Sequence, residues 1–170
     1  PTAGLALNAW LSYAIAGVLM LALLRACGLG VSASLFGAFA FAFGGLMTAN
    51  AHFYMRMNAL IWLPGMLHAC LRIGAPDVTG TARIPAALGL ATCTAMSWLA
   101  GFPPFAIAAS TCAGAIAAVL VVRTMARDGA RSGAQIAAWF VGAFGLGLAL
   151  SAVQIAPMLG YYPEASRDLA

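Results

Sequence analysis

The stretch VSASLFGAFAFAFGGLMT, Val31 to Thr48, runs for eighteen residues without a charge. As an α-helix it would rise about 27 Å, close to the hydrocarbon thickness of a bilayer. The rest of the chain has the same character. Hydrophobic residues make up 64% of the 170 residues, charged residues 7%, and the mean hydropathy is +0.97. A soluble domain carries about 25% charged residues. Eight basic and four acidic residues cannot cover a water-facing surface of this size. The fold class is therefore all-α: a polytopic transmembrane helix bundle forming a single domain over residues 1–170. The chain opens on Pro1 and is expected to be an inner piece of a larger membrane domain.

Six apolar runs are candidates for spans: Leu5–Leu24, Val31–Thr48, Met57–Leu71, Ile84–Leu99, Phe105–Val122 and Ile136–Leu159. The third is short, but Arg56 and Arg72 flank it and can snorkel outwards, so it is expected to span. Pro64 and Pro157 are expected to bend or end their helices, because proline removes a hydrogen bond and clashes with the preceding turn. CGLG (27–30) and AGFPPF (100–105) read as tight turns. GAPDVTGTARIP (74–85) and RTMARDGARSG (123–133) read as polar loops. Small residues recur every four positions at Ala106, Ser110, Gly114 and Ala118, and at Ala143, Gly147 and Ser151. Such rows let helix backbones approach closely in lipid.

The arginines set the orientation. Arg25, Arg72, Arg83, Arg123, Arg127 and Arg131 fall on one face, and Arg56 and Arg167 on the other. The positive-inside rule places the first set in the cytoplasm, so residues 1 and 170 both lie outside. Trp10, Tyr13, Tyr54, Trp98, Tyr161 and Tyr162 fall near the outer ends, as an interfacial belt does. Because the arginines are spread over several loops, the basic pI of about 9.2 is a topology signal, and no nucleic-acid partner is expected. Membrane lipids are the expected surroundings. Cys27, Cys70, Cys93 and Cys112 form no C-x-x-C pair, and neither a disulfide framework, a metal site nor a cofactor is expected.

Chemistry is expected on the outer face. It gathers Asn50, His52, Arg56 and Asn58, the turn Gly101–Phe105, and the segment containing Gln154, Pro157, Glu164, Arg167 and Asp168. Arg56 suits an anionic phosphate because its planar fork grips two oxygens; its other reading is a helix-end anchor. Gln154 stands three residues before Pro157 and is a candidate partner for the freed Val153 carbonyl. The arginine-rich face shows charge but no histidine and no cluster of convergent groups. The chain contains no phosphate-binding G-x-x-x-x-G-K-[ST], no H-E-x-x-H and no G-x-S-x-G. No acidic residue lies inside a span, so the relay expected of many transporters is missing.

The order of several motifs resembles one family. They are LALLRACGLG, SLFGAFAFAFGGLMT, a polar outer loop with His52, IWLPGML, LAGFPPFAI and AVQIAPMLGYYPEASRD. Together they are similar to the YfhO-like bacterial multi-spanning membrane proteins, which are related to the GT-C class of glycosyltransferases. The family's turn carries Pro-Gln where this chain has Pro103–Pro104. The resemblance implies a bacterial inner (cytoplasmic) membrane and a polyprenyl-phosphate-linked sugar as donor on the outer leaflet. It also implies that Gln154, Ser166 and Arg167 line the substrate cavity. The catalytic acid of such enzymes sits in the first large outer loop, which the resemblance places before Pro1. With His52, Arg56 and Arg167 facing the donor phosphate and Gln154 shaping the site, the expected activity is glycosyl transfer. A transporter or flippase of lipid-linked glycans, or a non-catalytic membrane subunit, are the alternatives.

Overall fold

The computed structural model describes the backbone of residues 2–165 and the side chains of residues 4–160. Among the described residues there are helices and no strands. The helices are α1 (Thr2–Ala26), α2 (Val31–Ala42), α3 (Gly45–Ala49), α4 (Tyr54–Leu60) and α5 (Leu63–Ile73). A 3-10 turn at Gly80–Arg83 leads into α6 (Ile84–Leu99), followed by α7 (Pro103–Asp128), α8 (Ala130–Leu150) and α9 (Ala152–Ala165). Prolines occupy the first turns of α5, α6 and α7, where a missing N–H costs nothing.

Four segments are long and apolar enough to cross a bilayer: Gly4–Ala26, Val31–Ala49, Pro103–Asp128 and Ala130–Leu150. Large apolar side chains stand outward on them, with Phe36 76% and Val141 73% exposed. In water such a surface would aggregate; in lipid it is ordinary. The chain is a multi-pass helical membrane protein. The expected count of six spans is not met by length. The third run is broken into α4 and α5, and α6 has 16 residues.

The shorter pieces occupy the middle. α5 packs against α1, α6, α7 and α8, and α6 packs against α7 and α8. Met66, Cys70 and Ile73 of α5 and Leu90 and Thr94 of α6 are fully buried. Close approach is achieved through glycine. A Cβ at Gly65 would lie 2.7 Å from Cys93 Sγ and 3.2 Å from Leu19. A Cβ at Gly147 would lie 2.7 Å from Thr94 Cβ and 2.8 Å from the Ala91 carbonyl oxygen. The expected row on α8 therefore does pack, with Ala143, Gly147 and Ser151 buried. The expected row on α7 packs only in part. Of it, Ala106 is buried, Ser110 and Gly114 are half-buried and Ala118 is exposed; the other buried positions are Ala109, Ala113, Ala117 and Thr124, and a Cβ at Gly114 would meet nothing.

The turns differ from expectation in instructive ways. After α1 the chain closes a Schellman turn: Leu29 N–H donates to the Leu24 carbonyl (3.2 Å), Gly28 N–H to that of Arg25 (3.0 Å), and Gly28 has φ +83°. The run Val31–Thr48 breaks at Phe43–Gly44, where Gly44 is extended and a Cβ would collide with the Ala40 carbonyl. Pro64 acts as expected, since α4 stops at Leu60 and α5 restarts with the proline in its first turn. Pro157 does not end its helix, because α9 runs through it. The break in the sixth run falls earlier, at Ser151, whose hydroxyl turns back onto the Gly147 and Leu148 carbonyls at 3.0 Å each. Of the expected polar loop 123–133 only Gly129 lies outside a helix, at φ 89° and ψ 165°.

The Gly147 contact makes a direct test. Gly147→Ala forces α6 and α8 apart against a backbone oxygen and should destabilise the protein by about 1–3 kcal/mol. Gly145→Ala, where a Cβ meets nothing within 4 Å, should be neutral or mildly stabilising. Reversible unfolding in mixed micelles reads both; equal stabilities would show that the helices do not approach as described.

Candidate functional site

The bundle has two unlike ends. The ends of α1, α5 and α7 bring Arg25, Arg72, Arg123 and Arg127 to one of them, and Arg83 donates from Nε to the Ile73 carbonyl at 2.9 Å there. The opposite end holds His52, Arg56 and the Gly101–Phe102 turn. The two sets of residues are thus separated as the sequence implies.

At this second end the polar groups are structural first. Asn58 Nδ2 donates to Asn8 Oδ1 at 3.3 Å, and Ser12 Oγ lies 2.7 Å from Asn58 Oδ1, tying α4 to α1. Ser97 Oγ donates to the Ala59 carbonyl at 2.8 Å, buried between α4 and α6. That carbonyl lies at the break before α5, where no backbone N–H reaches it among the described residues. Trp98 Nε1 donates to Ser110 Oγ at 3.2 Å and holds α6 to α7.

These ties fix the first turn of α4, which carries Arg56. Its guanidinium carbon lies 4.3 Å from the centre of the Phe53 ring and 4.9 Å from that of Phe102. A cation in contact with aromatic rings is attracted by their quadrupoles. The Phe102 ring is itself set edge-on to Phe105 at 5.1 Å. Gly101 makes the turn at φ +79°, with its N–H donating to the Trp98 carbonyl at 3.2 Å. Gln154 comes alongside this turn, its Nε2 3.8 Å from where a Gly101 Cβ would stand, an ordinary contact distance, with Met55 Sδ at 4.0 Å. Gln154 makes no hydrogen bond to the Val153 carbonyl, the partner that its spacing from Pro157 suggests.

The structure thus brings Arg56 and Gln154 to the same turn. Among the described residues Arg56 makes no ion pair. His52 is exposed on the turn before α4 and makes no side-chain hydrogen bond among the described residues. Ser166 and Arg167 lie outside the described residues, as do the side chains of Tyr161, Tyr162, Glu164 and Asp168. No three His, Cys, Asp or Glu side chains converge among the described residues, and the four cysteines are free thiols.

The arginine-rich end departs from expectation. His68 lies one turn from Arg72 on α5, and both line a cavity of about 360 Å³ between α1, α5 and α6. Its Nδ1 is buried without a partner. Sequence reading passes over it because a lone histidine in an apolar run looks like filler; its i, i+4 spacing to Arg72 is the signal that was available. A larger cavity at the same end is lined by Arg123, Thr124 and Arg127. Convergent groups therefore exist on this face. No protein family, curated protein or solved structure matches the chain.

Ser97 tests how the site is held. Ser97→Ala strips the Ala59 carbonyl of its donor inside the bundle and should cost about 1 kcal/mol. Ser97→Thr keeps the hydroxyl and should retain more of the stability. If Ala and wild type unfold alike in micelles, the carbonyl has another partner.

Proposed function

We propose that this chain belongs to the membrane domain of a GT-C-type glycosyltransferase of the YfhO-like kind, set in a bacterial inner membrane. It would use a polyprenyl-phosphate-linked sugar at the extracytoplasmic face. The observation that carries this reading is Arg56, held by Phe53 and Phe102 beside the Gly101 turn and Gln154. Aromatic contact holds a guanidinium without neutralising it. With no carboxylate on it among the described residues, its N–H groups stay available to an anion at the headgroup plane. Gln154 would shape the same site, His52 would approach the donor from the exposed turn, and Ser166 and Arg167 would complete the lining.

The orientation rests on charge. Six arginines in one set of loops of the sequence against Arg56 and Arg167 in the other support a cytoplasmic arginine-rich end, with residues 1 and 170 outside. Labelling decides it. Once the exposed Cys27 and Cys112 are replaced, an impermeant maleimide added to intact cells should reach a cysteine placed at residue 52 and not one placed at 128. The reverse pattern would invert the orientation and remove the outer-leaflet donor.

The phosphate role has its own test in the full-length protein. A charge-assisted hydrogen bond contributes about 1.5–3 kcal/mol, so Arg56→Ala should weaken polyprenyl-phosphate binding by about tenfold or more. Arg56→Lys keeps the charge and loses the fork, and should fall between. An anchor alone would tolerate lysine at little cost, since both side chains snorkel. Unchanged affinity in Arg56→Ala, with normal insertion, would remove the phosphate role.

A further inference from the structure

The cavity at the arginine-rich end lies far from Arg56 and serves nothing described so far. Its volume is about 560 Å³, within the range of about 300–1,000 Å³ typical of small-ligand sites. It opens between the end of α1, the end of α5 and the last turns of α7. Leu71 and Leu120 supply apolar wall, while Arg123, Thr124 and Arg127 supply polar groups from consecutive turns of α7.

Three features specify the occupant. First, the lining holds two guanidinium groups and no carboxylate. Asp128 faces the adjoining, smaller cavity, where it holds Arg127 in an exposed pair, accepting from Nη2 at 2.9 Å and from Nε at 3.1 Å. Pairs of this kind are weak and readily exchanged. Second, Thr124 is only 8% exposed and lines this cavity, and its hydroxyl, which makes no hydrogen bond among the described residues, is not sealed within the bundle but opens to the cavity. Third, the site sits where spanning helices end, with apolar wall on the side of the hydrocarbon. A free anion would use the arginines and leave the leucine wall wet. A neutral lipid would use the wall and leave the charge unmatched.

We propose that this cavity binds the phosphodiester headgroup of an anionic phospholipid from the leaflet on the arginine-rich side. Arg123 and the free Nη1 of Arg127 grip phosphate oxygens, the Thr124 hydroxyl donates to a third, and the first carbons of the acyl chains lie along Leu71 and Leu120. Basic pockets between membrane helices are suited to such headgroups.

Native mass spectrometry of the protein released from nanodiscs tests this. With phosphatidylglycerol as the probe, wild type should retain one lipid, with at least tenfold preference over phosphatidylcholine. Arg123→Gln should reduce retention about tenfold, and Thr124→Val, which keeps shape and removes the hydroxyl, severalfold. Arg131→Ala, outside the lining, should leave retention unchanged. Equal retention of both lipids would overturn the proposal. So would an equal loss in Arg131→Ala, which would mean unspecific attraction to charge. Displacement by soluble glycerol phosphate at matched concentration would overturn it too, showing a site for a free anion. Should Arg123→Gln fail to fold, Thr124→Val and the competition still decide.

Discussion

A helix that breaks inside a bilayer leaves carbonyls with no water to bond, and this bundle depends on how the break between α4 and α5 is repaired. Pro64 cannot donate to the Leu60 carbonyl, and the break leaves that of Ala59 without a backbone donor among the described residues, so both need partners elsewhere. Ser97 supplies one of them at 2.8 Å from the neighbouring helix. That bond places α6 against α4; Gly65 then brings α5 against α1 and α6, and Gly147 brings α8 against α6. The broken, shorter helices can sit in the middle because the longer ones cover them. Lipid meets Phe36 and Val141, while the interrupted backbone meets protein.

The same arrangement explains the placement of the candidate site. Arg56 lies on the short helix that the Ser97 bond and the Asn8–Ser12–Asn58 group hold in place. A guanidinium on a fixed helix, in contact with two phenylalanine rings, loses little freedom when it binds an anion. Phe102 and Gln154 reach the same turn from distant parts of the sequence, and Gly101 makes that turn by adopting a positive φ of 79°.

How much of this the sequence reveals depends on the kind of information involved. Solvent, helical class and the separation of the arginines from His52 and Arg56 were legible, because they follow from composition and charge. Pro64 was legible because proline acts locally. Gly44 and Ser151 were not: at one an extended glycine interrupts the helix where any side chain would collide with the Ala40 carbonyl, at the other a side chain returns to its own backbone. The packing face of α7 was misread by one position, since alanine and glycine are so frequent there that several rows look alike. Arg56 and Gln154 could be assigned to one end, but their meeting at Gly101 is tertiary and has no local signature.

The connection between α7 and α8 bears on how the protein enters the membrane. One residue, Gly129, separates helices of 26 and 21 residues, in a conformation that is essentially confined to glycine. Neither helix can cross the bilayer and settle before the other begins, because the link is too short to wait at the surface. The two must therefore pass from the insertion machinery as a closed hairpin. Its tip carries Arg123, Arg127 and Arg131, the costliest part of the hairpin to carry through hydrocarbon. Gly129 thus couples two insertion events into one, and a bulkier residue there would act on biogenesis before it acted on the finished fold.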